Sequence, residues 1–304
     1  MTATTPDGPR RALVIGCGFL GERVAALLAR EGLRVTGTTR RRERIDELAT
    51  RGIDGATLDF ATASASRVWD TSYDAAVWCA SPGRSPAGER GDPRAVYVDG
   101  VASALAALAR AACARTVVVS STGVYHQTDG SWLDETSPAE PRDEPHRSIR
   151  EGEELALAAG ASVVRLGGLY GPGRSPLEWL RRANFAERLA DSSAAAWMNW
   201  IRIEDAAAVV AAATLRGRPE AVYVGVDGHP VERAEFWELA AELTGVDAPR
   251  FAGDPRDRGK RLRPERTLAE LGVTLRFPDF RCGLRTLALP HPEAPPPPTE
   301  RRDE

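Results

Sequence analysis

The stretch that most constrains the fold is residues 11–21, a short apolar run followed by closely spaced glycines. Residues 12–15 can be buried on both faces, as a central strand of a parallel sheet requires. Gly16, Gly18 and Gly21 then give the spacing G-x-G-x-x-G. In such a turn the first glycine permits the tight bend, the second lets the backbone approach a pyrophosphate, and the third lets helix and strand pack closely. Between a strand and a helix, this spacing predicts a dinucleotide-binding site.

The end of the second predicted strand indicates which dinucleotide. Residues 33–39 form this strand, which ends about 20 residues beyond the glycines, where the adenosine ribose is held. An NAD enzyme usually carries Asp or Glu there, but this chain has Thr39 and Arg40. A hydroxyl and a guanidinium suit the 2′-phosphate of NADP, because arginine binds phosphate through two hydrogen bonds. We therefore predict NADP as the cofactor, with NAD as the alternative. The arginines that follow, Arg41, Arg42 and Arg44, fit the solvated start of a helix, and the same alternative is open for Arg40.

Strands and helices alternate along the first part of the chain, which predicts a doubly wound parallel α/β sheet of the Rossmann type. Further strands are predicted at residues 55–59, 74–80, 115–121, 161–166 and 221–226. Helices are predicted at residues 95–112, 145–160, 204–215 and 233–243. Residues 122–145 are predicted to be a long loop, a length that usually indicates function or disorder.

This alternation divides the chain into a cofactor domain and a smaller C-terminal substrate lobe. The expected parts are a flexible N-terminus (1–10), the dinucleotide-binding domain (11–170, with 199–228 returning to it), the substrate lobe (171–198 and 229–289) and a tail (290–304). The lobe is assigned to the residues that lack β/α regularity. The tail contains four consecutive prolines and many charges, so it is expected to be disordered.

Composition excludes several classes of protein. A net charge of −3 gives no general attraction to nucleic acid, and no stretch is apolar enough to span a bilayer. The four cysteines are scattered without C-x-x-C spacing, which favours reduced thiols over a disulfide scaffold or a zinc site, and no histidine pair has metal-site spacing. Residues 1–10 have no apolar signal region. We therefore expect a cytoplasmic monomer or homodimer that binds a small-molecule substrate and no metal, nucleic acid or membrane.

Several further stretches add to the glycine motif. They are S-S-T-G-V-Y at 120–125, R-L-G-G-L-Y-G-P-G at 165–173, N-W-I-R-I-E-D at 199–205, K-R-L at 260–262 and a stretch at 277–284. In this order they resemble the motifs of the extended short-chain dehydrogenase/reductases, the NAD(P)-dependent epimerase/dehydratase family. The last two resemble motifs of its atypical members. The resemblance covers roughly residues 11–289 and implies a Rossmann fold, an NAD(P) cofactor and oxidoreductase or epimerase chemistry.

The resemblance also implies a catalytic Ser/Thr, Tyr and Lys, of which this chain keeps the first. Ser121 occupies the serine position, three residues before the valine of the V-Y motif. Residues 126–169 contain no tyrosine, so the family's Y-x-x-x-K is replaced by an H-x-x-x-R formed by His146 and Arg150. Lys260 is the only lysine of the chain, so any chemistry that needs a lysine has one candidate.

Spacing on a helix would place His146 and Arg150 on the same face, because they are four residues apart. Arginine can bind a ribose but does not release a proton, whereas histidine can transfer one near neutral pH. The dipole of the helix would disfavour the charged form of His146. The alternative is a histidine that faces solvent and an arginine paired with Glu153 or Glu154. Tyr97 stands where the family often has an asparagine on the preceding helix.

Two functions follow from these observations. One is an NAD(P)-dependent oxidoreductase or epimerase that acts on a small hydroxyl- or carbonyl-bearing metabolite, with nucleotide sugars among the candidates. The other is a cofactor-binding protein without turnover, such as a redox sensor or regulatory protein. The predicted catalytic residues are Ser121, His146 and Arg150. The predicted cofactor-binding residues are Gly16, Gly18, Phe19, Leu20, Gly21, Thr39, Arg40, Asp59, Phe60, Ala80 and Ser81.

Overall fold

The structure is a computed structural model that describes residues 10–58, 67–83 and 91–289. Its central sheet has seven parallel strands, as a Rossmann-type sheet requires. In spatial order they are β3 (Asp54–Thr57), β2 (Arg34–Thr39), β1 (Arg11–Ile15), β4 (Ala75–Trp78), β5 (Arg115–Ser121), β7 (Ser162–Leu166) and β11 (Val222–Gly225). The order reverses between β1 and β4, which is where such sheets bind ligands. The predicted doubly wound sheet is confirmed.

Helices cover both faces of this sheet. One face packs against α1 (Gly21–Arg30) and α6 (Ile203–Arg216), with α2 (Arg44–Ala49) and α8 (Glu265–Leu271) beside them. The other face packs against α3 (Val101–Arg110) and α4 (Glu144–Ala158). The predicted helix 95–112 begins as a π-helical segment, Ala95–Gly100, before it continues as α3. In the described part of the chain, no helix combines the length and apolarity that crossing a membrane requires.

The prediction of a loop over residues 122–145 is wrong in part. After a 3-10 turn at Thr122–Val124, the chain forms β6 (Asp129–Leu133). This strand belongs to a second sheet with the order β12 (Val231–Glu232), β9 (Trp197–Met198), β13 (Gly259–Leu262) and β6. The sequence of β6, D-G-S-W-L, has no regular alternation, and β6 pairs with a strand about 130 residues further along the chain. Local pattern therefore could not reveal it.

The C-terminal part is built around an aromatic core. Its helices are α5 (Pro176–Leu180), α7 (Arg233–Thr244) and α9 (Phe280–Ala288), next to a parallel pair of strands, β8 (Gly168–Tyr170) and β10 (Trp200–Arg202). The rings of Trp200 and Phe236 stack with centroids 4.6 Å apart, and Phe280 packs against Phe236 at 5.6 Å. Contacts among large aromatic rings bury much apolar surface. This core gives the smaller lobe a hydrophobic centre separate from the sheet.

Candidate functional site

The glycine-rich turn after β1 has the geometry of a dinucleotide cradle. Gly16 has a φ of +91°, and a Cβ atom there would lie 2.7 Å from the backbone of Ala80. A Cβ atom at Gly21 would collide with the carbonyl oxygen of Gly16, so this glycine allows α1 to pack against the turn. A Cβ atom at Gly18 would meet nothing within 4 Å. The open space in front of Gly18 fits a pyrophosphate that approaches the backbone.

The end of β2 places Thr39 and Arg40 at the same edge. The Thr38 hydroxyl accepts a hydrogen bond from the Gly16 N–H at 3.0 Å, which ties β2 to the glycine turn. Thr39 is buried, and its hydroxyl oxygen accepts the N–H of Arg41 at 3.2 Å. The exposed guanidinium of Arg40 lies against Gly83, on the segment that follows β4. Arg40 therefore spans the gap between the ends of two strands, where a cation can meet a cofactor phosphate.

The other predicted cofactor residues differ in what they expose. Phe19 is half-buried, with the guanidiniums of Arg23 and Arg174 at 4.8 and 5.7 Å from its ring centre. The side chain of Leu20 is buried in the core, so only its backbone can face a ligand. Ala80 and Ser81 follow β4 beside the glycine turn. Asp59 and Phe60 lie outside the described residues.

Ser121 ends β5 and caps the turn that follows it. Its hydroxyl oxygen accepts the N–H of Gly123 at 3.0 Å. A hydroxyl that accepts one hydrogen bond still has its own hydrogen to donate. Because β5 is held between β4 and β7, this donor is fixed at the carboxyl edge of the sheet.

His146 lies in the first turn of α4 and faces the same segment. A Cβ atom at Gly123 would collide with its imidazole at Nε2, so this ring rests directly on Gly123. Its Nδ1 lies 2.7 Å from both carboxylate oxygens of Asp143, which also caps the helix. Burial by itself raises the pKa of Asp143, but the hydrogen bonds from His146 outweigh burial and lower this pKa. The structure therefore holds His146 beside the turn that contains Ser121.

Asp143 is a site residue that the sequence analysis missed. Its carboxylate favours the tautomer with hydrogen on Nδ1, which leaves the lone pair on Nε2. The signal that could have revealed it is the spacing of an N-cap, because an aspartate three residues before His146 can cap the helix.

Arg150 lies on α4 as predicted, but its guanidinium is held by two carboxylates. It pairs with Glu153 at 3.1 Å and with Glu154 at 3.3 Å. These are the pairs that the alternative interpretation expects. The arrangement still leaves positive charge one helical turn beyond His146, although the carboxylates balance part of it.

The Glu153 carboxylate is fully buried and belongs to a network that the sequence analysis also missed. Arg165, on β7, binds its two oxygens at 2.8 and 2.7 Å, and the Ser120 hydroxyl donates to it at 2.5 Å. A third N–H of Arg165 donates to the Tyr125 hydroxyl, which donates to the Asp134 carbonyl. Burial alone would lower the pKa of Arg165, but Glu153 raises it. This network fastens α4 to the sheet below the candidate site.

Two of the remaining family-like motifs join the small lobe to the sheet. The Asn199 side chain donates to the Lys260 carbonyl and accepts the Leu262 N–H, both at 2.9 Å. The Asp205 carboxylate accepts the N–H groups of Arg276 and Phe277, both at 2.8 Å. These contacts hold β13 and residues 276–277 to the stretch 199–205. The motifs at 199–205 are thus explained by assembly of the lobe.

Comparisons with known proteins agree with this geometry. The model of the NAD dependent epimerase/dehydratase family matches residues 12–225. Protein YeeZ of Escherichia coli K12 is 27% identical over 277 residues, which cover 89% of this chain and 97% of that protein. A conserved protein of unknown function from Silicibacter pomeroyi has a solved structure with a TM-score of 0.71 and 28% identity, covering 91% of this chain and 98% of that one. The human epimerase family protein SDR39U1, solved with NADPH, gives a TM-score of 0.69 at 24% identity, with 91% and 99% covered.

Proposed function

This chain belongs to the NAD-dependent epimerase/dehydratase family, and from that premise we propose that it is an NADP(H)-preferring oxidoreductase or epimerase. Its substrate is a small metabolite with a hydroxyl or carbonyl group, and nucleotide sugars are one class to test. The observation that carries the proposal is the position of His146, whose imidazole rests on Gly123 and is oriented by Asp143. An oriented imidazole at the carboxyl edge of the sheet has the geometry of an acid/base.

The residues of the chain divide the chemistry between them. The Ser121 hydroxyl, whose oxygen is held by the Gly123 N–H, donates a hydrogen bond to the reacting oxygen of the substrate. Nε2 of His146 accepts the proton from that oxygen in the oxidative direction and returns it in the reductive one. Asp143 stabilises the positive ring that forms. The nicotinamide, when bound, supplies the hydride acceptor or donor.

The preference for NADP(H) rests on Arg40 and on the missing acidic residue at the end of β2. No carboxylate lies within ion-pair distance of Arg40 in the described part of the chain, so its charge is available to a phosphate. Gly16, Gly18 and Gly21 would bind the pyrophosphate through backbone N–H groups and the start of α1.

The test of the acid/base role begins with a metabolite library and NADP(H), followed by the absorbance of the reduced nicotinamide. With a substrate found, His146→Phe should lower turnover by about 10²–10⁴ while cofactor affinity changes little. Asp143→Asn should lower it less, because the ring stays in place but loses its charged partner. Unchanged turnover in His146→Phe would exclude His146 as the acid/base.

The second candidate is a cofactor-binding protein without turnover, such as a redox sensor. The observation that favours it is the engagement of Arg150 with Glu153 and Glu154. A charge that is balanced in this way is less available to a ribose than the family's lysine. If NADP(H) binds and no metabolite in the library changes its redox state, this second function is favoured over the first.

A further inference from the structure

The one lysine of the chain lies at the substrate side of the candidate site. Lys260 is on β13, in the small sheet, and its half-buried ammonium donates to the Tyr125 carbonyl at 2.8 Å. Tyr125 directly follows the 3-10 turn on which His146 rests. Lys260 therefore reaches the turn from the lobe, whereas the lysine of the family's missing motif would come from α4. Lys260 therefore does not take the place of the family's lysine, whose position on α4 is occupied by Arg150.

The backbone on both sides of Lys260 is fixed. Asn199 binds the Lys260 carbonyl and the Leu262 N–H, and the neighbouring Gly259 pairs with Asp129 of β6. A flexible side chain that starts from a clamped backbone and ends on a backbone carbonyl has a defined position. This is the arrangement of a positioned group and differs from that of a surface lysine.

The carboxylates near the Lys260 ammonium accept hydrogen bonds from other groups. Asp143 is bound to His146, and Asp257 accepts the N–H of Gly259 at 3.0 Å. Within residues 10–58, 67–83 and 91–289, no carboxylate lies within 4 Å of the Lys260 ammonium, and the Tyr125 carbonyl is its one acceptor. Two of its three N–H donors are thus available to a ligand.

The guanidinium of Arg142 adds to the positive charge at this place. Burial, together with the charges of Arg142 and Lys260, lowers the pKa of His126, although Asp143 and Asp257 act in the opposite direction. Burial also lowers the pKa of Lys260. A half-buried ammonium without a carboxylate partner is unfavourable unless a ligand supplies the negative charge.

We infer that Lys260 binds an oxyanion of the substrate, a carboxylate or a phosphate, beside the turn that Ser121 caps and on which His146 rests. This inference rests on the proposed function, since it deepens the description of the same site. It narrows the substrates to metabolites that carry a negative group in addition to the reacting hydroxyl or carbonyl. Arg142, whose charge also acts on the neighbouring His126, adds to the attraction.

A single lysine permits a direct test. Reductive methylation with ¹³C-formaldehyde labels only Lys260 and the N-terminal amine, and Lys260→Gln assigns the two NMR signals. The protein is kept saturated with NADPH, so that phosphate cannot act through the cofactor site. We expect the Lys260 signal to shift with saturation on addition of inorganic phosphate, acetate or both, while the N-terminal signal stays in place. A response to phosphate alone or to acetate alone identifies the group.

A second measurement does not depend on labelling. Phosphate or acetate should raise the melting temperature of the NADPH-bound protein, and Lys260→Gln should remove this increase. The glutamine amide can still donate to the Tyr125 carbonyl, so the variant loses charge and keeps the hydrogen bond. Arg263→Gln, at an exposed position just beyond β13, is the matched control and should respond like the wild type.

The inference is overturned if neither anion shifts the Lys260 signal, if both amine signals shift in parallel, or if Lys260→Gln keeps the full increase in melting temperature. These outcomes are separate from the proposed function. Normal turnover in His146→Phe would refute the proposed acid/base without any change in the anion response.

Discussion

Two regions form the carboxyl edge of the sheet, and they are built in different ways. At the turn after β1 the backbone makes the site, and a side chain at Gly16 or Gly21 would collide with other backbone atoms. At the start of α4 side chains make the site, with His146 held by Asp143 and Arg150 held by Glu153. The first region keeps the pattern of the family, whereas the second has lost its tyrosine and lysine.

This difference shows which positions of a sequence motif can accept other residues. A turn that requires glycines tolerates few substitutions, because any Cβ atom interferes with packing or with the ligand. A helix that presents side chains can change them as long as the helix itself stays in position. Here the buried pair of Glu153 and Arg165 holds α4 against the sheet. Chemistry at residues 146 and 150 can therefore vary without loss of the fold.

The largest effect is expected where the backbone makes the site. Gly18→Val should abolish NADP(H) binding, because its side chain would fill the space that the pyrophosphate needs. The melting temperature should change little, since no atom lies within 4 Å of that position. Titration calorimetry with NADPH measures the binding. The contrasting variant is Gly21→Val, which should lower stability strongly. Normal NADPH binding by Gly18→Val would show that the glycines form only a structural turn.

The next effect concerns the anchor of α4. Glu153→Gln removes the charged partner of the buried Arg165 and should lower the free energy of unfolding by about 3–5 kcal/mol. Denaturation with urea, followed by circular dichroism, measures it. Glu154→Gln is the matched control, because this neighbouring carboxylate is exposed and contributes little. Equal stability of the two variants would show that the buried pair of Glu153 and Arg165 does not stabilise the packing of α4 on the sheet.

A smaller effect is expected at Arg40, where a side chain contributes to the cofactor half of the site. Arg40→Ala should weaken NADPH binding about tenfold or more, because one charge-assisted contact is worth roughly 1.5–3 kcal/mol. Binding of NADH should be almost unchanged. Arg42→Ala, an exposed arginine two residues further on, serves as control. If both variants bind NADPH like the wild type, or if NADH binds as tightly as NADPH, the predicted preference is wrong.

The smallest effect is expected at a buried carboxylate that, unlike Glu153, has no cationic partner among the described residues. Asp227 is buried, and one of its oxygens has no hydrogen-bond partner within the described residues. Burial raises its pKa well above the usual value. The folded state therefore holds a proton that the unfolded state releases, and stability falls as pH rises from about 4 through the raised pKa.

Asp227→Asn keeps the oxygen that accepts the His229 N–H and removes this cost. Its melting temperature should exceed that of the wild type by about 2 °C or more at neutral pH, and the difference should disappear at acidic pH. Thermal melts across pH measure it. A lower melting temperature at neutral pH would show that the charged form has a partner in solution.

The sequence predicted the parts of the molecule that depend on local pattern. Several strands of the central sheet contain apolar runs such as residues 12–15, and β/α alternation predicts that the strands are parallel. Gly16 and Gly21 were recognisable because a tight turn between strand and helix has few alternatives. The position of Ser121 at the end of β5 followed in the same way, although its role and that of His146 stay predictions.

Other parts depend on contacts between distant residues. Glu153 appears in the sequence as one more charge on a helix, and only the fold shows that Arg165 lies against it. The strand β6 was missed because its partner, β13, lies about 130 residues further along the chain. Lys260 was noticed for its uniqueness, but its position beside Tyr125 follows from that same pairing. No local pattern contains this information.

The pairing of β6 with β13 also bears on the order in which the protein can assemble during synthesis. On the ribosome the N-terminal part of a chain emerges first and can begin to fold, while contacts between distant segments must wait. A nascent chain that ends before Gly259 has all seven strands of the central sheet, but β6 has no partner at that edge. The cofactor cradle can therefore form early, and Lys260 joins the substrate side only after the central sheet has been synthesised.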